Sequence, residues 1–152
     1  MTTDYIVSSL PMLSFGAPAP MTLAAFKALA GDAADKTLAT WRDLEIQLRN
    51  ALVEARGGAE KFKRAADGCS VYWKKRVIDC FAEKDVAKRD ELIDRVWWDA
   101  AGELTKVSDP LGPGALATYA VRLGIAARRS AISKDEGNAV FDRLTATTKE
   151  VI

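Results

Sequence analysis

The sequence predicts an all-α protein, an irregular bundle of about five or six helices behind a proline-broken N-terminal segment. Three observations predict it. Apolar residues return every three or four positions through most of the chain, the period of a helix with one face on a core. The apolar–polar alternation of a half-buried strand does not appear after Val7. Breaks such as "RGG" and "SDPLGPG" cut the periodic stretches into helix lengths.

Residues 1–21 read as an apolar segment packed on the bundle, and residues 22–152 as the helical domain. The segment opens as a strand would, with Tyr5, Ile6 and Val7, then meets Pro11 and becomes a loop. Leu10, Met12, Leu13 and Phe15 are too apolar for open water, so the segment must lie against its own bundle or another protein. Covering the bundle is the preferred alternative. Thr22 can cap a helix through Ala30, with Leu23, Phe26 and Leu29 on one face and "GD" at its end. Leu38, Trp41, Leu44, Leu48 and Leu52 then form one stripe over Ala34–Ala55, stopped by "RGG".

From Glu60 to Arg95 acids and bases alternate, while Val77, Ile78, Phe81, Ile93, Val96, Trp97, Ala100 and Leu104 keep helical spacing. Two helices divided near Ala82–Asp85 account for this. Glu60–Arg64 and Asp85–Arg89, four apart with the acid first, suit an exposed helix face. After the loop at Ser108–Gly114, Leu116, Tyr119, Ala120 and Leu123 mark a fifth helix. "SKDE" at Ser133 is a capping box for a sixth, carrying Val140, Phe141 and Leu144.

Charge bounds the function. Lys plus Arg number 22 against 21 Asp plus Glu, a formal net charge of +1. Such a balance predicts no general attraction to nucleic acid or an anionic membrane. No stretch reaches the roughly 20 apolar residues of a membrane span, and the first charge is Asp4, unlike a secretion signal. A cytoplasmic protein is expected. The chain has no histidine, which removes the imidazole base, the Ser–His–Asp triad and the ordinary zinc site. Neither glycine-rich stretch precedes a Lys-Ser or Lys-Thr pair, so neither is a phosphate loop. Cys69 and Cys80 are expected to be buried, reduced thiols acting as small hydrophobes. No cofactor or metal is expected.

Carboxylates such as Glu83 and Asp85 sit among bases on an expected solvated face, where paired acids stay ionised. Two basic clusters, "WKKR" at Trp73–Arg76 and "ARR" at Ala127–Arg129, read as helix surfaces with Asp79 and Asp135 close by. Trp97 and Trp98 are adjacent, so one faces the core while Trp98 is a candidate exposed anchor for a partner. Core packing of both on a broad helical face is the preferred reading.

"YIVSSLPMLSFGAPAPMTLAAFKAL" and the later "WRDLEIQLRNALVEAR" carry a resemblance through Tyr5, Ser9, Leu10, Pro11, Leu13, Phe15, Gly16 and Phe26, then Trp41, Glu45, Leu48, Arg49, Asn50 and Arg56. They resemble an uncharacterised bacterial family associated with gene clusters of V/A-type rotary ATPases. That family is akin to the C-type central-stalk component of those motors, called d-type in the eukaryotic enzyme. The stretch "LGPGALATYAVRLGIAARRSAISKDEGNAVFDRL" is similar to the closing helices of the C-type component, through Pro113, Ala117, Tyr119, Leu123, Arg128, Arg129, Gly137 and Leu144. The resemblance is thinner over residues 57–107.

This resemblance implies a non-catalytic accessory or central-stalk (C-type-like) component of a V/A-type proton or sodium rotary ATPase. Its partners would be the central shaft or membrane rotor ring, with no nucleic acid and no membrane insertion. The protein would be peripheral to the membrane only through that complex. Arg42, Arg49, Arg128 and Arg129, with Trp98, are the expected partner contacts, because a guanidinium holds carboxylates in fixed orientation. Alanine at both 128 and 129 is expected to leave the fold intact. The alternatives are a helical interaction module unrelated to the motor and, third, a small helical enzyme.

Overall fold

Trp41 and Leu48, two helical turns apart, are buried on one face of the longest internal helix, and the other elements assemble around them. The computed structural model describes the backbone of residues 2–151 and the side chains of residues 2–132. Its elements are α1 (Thr3–Ser9), α2 (Leu23–Ala30), α3 (Asp35–Ala55), α4 (Val71–Asp79), α5 (Val86–Ala101) and α6 (Pro113–Val151). One-turn 3-10 helices occur at Glu60–Phe62, Cys80–Ala82 and Gly102–Leu104. No strand occurs among the described residues; Lys106 and Asp109 form an isolated bridge within a turn. The protein is all-α. The main core joins Trp41 and Leu48 to Trp73 and Val77 of α4, Val96 of α5 and Leu116 and Leu123 of α6. No described helix is long and apolar enough to cross a membrane.

Residues 5–7 are helical rather than extended. A lone strand here has no partner for its backbone, whereas a helix satisfies those groups locally. The Ile6 amide donates to the Thr2 carbonyl at 3.1 Å, and Ser8 Oγ donates to the Asp4 carbonyl at 2.8 Å. Ile6 enters the main core and Tyr5 stays exposed. Pro11 ends the helix by forcing Leu10 into an extended conformation, ψ 138°.

Thr22 caps α2, its Oγ1 accepting from the Ala25 amide at 3.0 Å. Phe26 and Ala30 are buried, while Leu23 and Leu29 are exposed, so the core face of α2 is narrower than the expected stripe. α3 begins and ends close to its expected bounds, and Gly57, at φ 71°, makes the left-handed exit.

The charged stretch holds the two expected helices, α4 and α5, divided at residues 80–85, but its first part, before Val71, builds no α-helical face. Residues 63–70 run without regular structure, held by polar side chains of α3. Asn50 donates from Nδ2 to the Arg64 carbonyl (2.7 Å) and accepts from the Arg64 amide (2.9 Å). Asp43 accepts from the amides of Asp67 (2.6 Å) and Gly68 (3.1 Å), and Gln47 accepts from the Ser70 amide (2.8 Å) while donating to Asp43 (2.8 Å). Positions 43, 47 and 50 share one helix face. The Glu60–Arg64 pair is therefore not made, and Glu60 meets Lys63 at 2.8 Å. Asp85 caps α5 through the Lys88 amide (3.1 Å) instead of pairing with Arg89, which donates to the Glu83 carbonyl at 3.0 Å. Cys69 lies exposed on the latched segment, contrary to the expected buried thiol; Cys80 is buried, and burial pushes its thiol pKa up.

The expected fifth and sixth helices are one. α6 runs unbroken for 39 residues, about 58 Å at 1.5 Å per residue. Pro113 starts it, where a missing amide proton costs nothing. A capping box can open a helix but cannot close the preceding one, and "IAARRSAI" before Ser133 holds neither glycine nor proline. The side chains of the box, and those of Val140, Phe141 and Leu144, lie outside the described residues. At Gly114 a Cβ would sit 2.1 Å from the Leu104 carbonyl oxygen, so glycine lets α6 begin against the 3-10 turn.

Candidate docking surface

The N-terminal segment is a strap laid across α6 and α5. Leu10 and Leu13 pack on the main core. Tyr119 donates its hydroxyl proton to the Pro11 carbonyl at 2.8 Å and stacks on Phe26 with ring centroids 5.5 Å apart. Burial pushes the Tyr119 phenol pKa up, which keeps it a donor. Phe15 meets the edge of Trp98 at 5.5 Å and 78°, with Arg95 and Arg129 over its ring at 5.1 and 5.2 Å. Gly16, at φ 85°, turns the chain away, and the Ala19 amide donates to Ser130 Oγ at 3.3 Å.

Trp98, the candidate exposed anchor, is not exposed: it is buried in a small second cluster with Ile125 and Ala126, as core packing of the pair requires. Its neighbour Trp97 is half-buried between the two clusters. A strap with an aromatic of its own supplies the second apolar surface that a single helix face could not. Arg122 closes this cluster by donating Nε to the Trp98 carbonyl at 3.0 Å, and burial lowers its pKa.

Arg128 and Arg129, expected as free partner contacts, both bind Asp94 of α5; Arg129 Nη1 lies 2.8 Å from Asp94 Oδ2. Asp94 is a buried acid. The signal for it was present: Asp94, Trp98 and Ala101 are spaced four and three apart, which puts an acid on an apolar helix face where it needs a cation. The other basic cluster is also used internally. Arg76 reaches Asp99 (2.9 Å) and Lys74 reaches Glu54 (3.0 Å), while Trp73 Nε1 donates to Glu103 at 2.6 Å. Burial is the strongest single influence on the Arg76 guanidinium and lowers its pKa, but Asp99 and Tyr72 together outweigh it and the net shift is upward. Asp99 and Glu54 take the place expected of Asp79.

Three helices leave a cleft of about 390 Å³ between them. Leu52 of α3, Ile93 and Trp97 of α5, and Val121 and Ile125 of α6 form its floor. Glu45 and Arg49 edge it on one side, Asp94 and Arg128 on the other. Arg49 donates to Glu45 at 2.7 Å, one turn along α3. The structure thus brings Arg49 and Arg128 to one cleft. Arg42 lies exposed on α3 outside it, and Trp41 is core. Among the described residues, no group of three or more His, Cys, Asp or Glu is placed to hold a metal ion. Comparison with protein-family models, curated proteins and solved structures found no match to this chain.

Proposed function

We propose that the chain is a non-catalytic helical docking component of a V/A-type rotary ATPase, accessory or central-stalk in kind, which acts by protein–protein contact. One observation carries this reading. The residues of the resemblance at the two ends of the chain touch each other: Pro11 with Tyr119, Phe26 with Tyr119, Phe15 with Arg129. These contacts join the matched stretches into one structural unit, as a shared motif requires. The unbroken α6 supports the same reading, since a continuous helix carries position from one end to the other without a hinge.

The test is gentle extraction of the tagged full chain from its own cells, followed by identification of what it retains. Rotary ATPase components at stoichiometric levels are expected. Their consistent absence, with other proteins retained instead, would point to an interaction module outside the motor. Turnover of a substrate by the isolated chain would overturn the docking reading altogether.

A further inference from the structure

We infer that the cleft between α3, α5 and α6 is the seat of an amphipathic helix from a partner, one with an apolar face of small residues and an acidic flank. Two ion pairs on its rim set the charge of the cleft. In each, the cation is the exposed half: the Arg49 side chain is 67% exposed against 31% for Glu45, and Arg128 is 54% exposed against 12% for Asp94. The formal charges cancel, but the surface offered to an incoming segment is guanidinium. Acidic side chains complement it.

Gly124 also lines this cleft, within α6. A glycine in a helix interior lowers stability relative to alanine. At Gly114 the fold compensates with a close backbone approach; at Gly124 a Cβ would meet nothing within 4 Å. Packing within the described chain supplies no reason for a notch there. A partner backbone that must come close to α6 supplies one, as small residues do wherever two helices approach tightly. An apolar floor, a notch and a cationic rim together are the features of a helix-in-groove site.

This inference rests on the docking reading only for its biological setting, and its test is separate. The probe is a synthetic helical peptide of about four turns, with an Ala/Leu face and glutamate flanks, compared with the same peptide carrying lysine flanks. NMR of the full chain follows the Gly124 backbone amide and the Trp97 indole. The glutamate peptide should shift both saturably and bind at least tenfold more tightly than the lysine peptide. Gly124→Leu should weaken it at least tenfold, while Gly124→Ala keeps the fold and raises the melting temperature. Equal affinity for the two peptides, or no shift at Gly124 at millimolar peptide, overturns the inference. Shifts at Gly124 that depend on the protein's own concentration instead assign the cleft to a second copy of this chain, and also overturn it. Retention of ATPase components by Gly124→Leu would leave the motor reading standing and remove the cleft from it.

Discussion

Asp94 shows how one residue changes the meaning of two others. A buried carboxylate without a cation is among the costliest defects a fold can hold, so Arg128 and Arg129 answer first to the protein's own stability. Replacing both by alanine should therefore destabilise the chain by about 1–3 kcal/mol, less than a fully buried broken pair because Arg128 is half-exposed. A thermal melt checks this, and Asp94→Asn in the double variant should recover part of the loss. Asp43 gives a second test at this scale. The Asp67 amide, then the Gln47 side chain and the Gly68 amide, hold its pKa below the usual 3.8. A carboxylate with a depressed folded pKa adds stability above its unfolded pKa, which is lost as pH falls through the folded one. Protection of the Asp67 and Gly68 amides, taken relative to their intrinsic exchange rates, should thus fall below about pH 4, and Asp43→Asn should remove that change in protection.

At the level of elements, the helical periods of α3 and α5 were legible because each carries a single apolar stripe on a uniform helix. Leu48, with 1% of its surface exposed, is the clearest test of that register. Leu48→Ala should cost about 2–5 kcal/mol in a denaturant melt; a neutral result would contradict the packing of α3 on α4 and α6. Other features were not legible, for three physical reasons. Tyr5–Val7 carries strand-forming side chains, but the element was decided by the lack of a second strand. The capping box at Ser133 is a local signal, and continuation of a helix through it is decided by what precedes it. Residues 63–70 look like exposed helix in their charges, yet their amides are claimed by Asp43, Gln47 and Asn50 from across the fold. In the first and last of these, tertiary context overrides a local preference.

For the whole molecule, a formal net charge of +1 argues against a general attraction to nucleic acid or an anionic surface and names no partner. Trp98 could be read as core or as anchor because sequence alone does not reveal that Phe15, from the far end of the chain, folds back to cover it. Arg49 and Arg128, by contrast, are separate in the sequence and meet at one cleft, which needed only the fold to join them. Asp94 and Arg128 form an ion pair and also line the cleft, so the proposed docking surface and the stability of the bundle share these residues. Variants meant to probe docking should for that reason avoid those two and use the floor or notch instead.

The most direct measurement is cross-linking mass spectrometry in intact cells with the chain at its native level, where weak contacts survive. The account predicts links from α3 and the first half of α6 to the central shaft or the rotor ring of a V/A-type ATPase. Links that join this chain only to itself or to proteins outside the motor would contradict it.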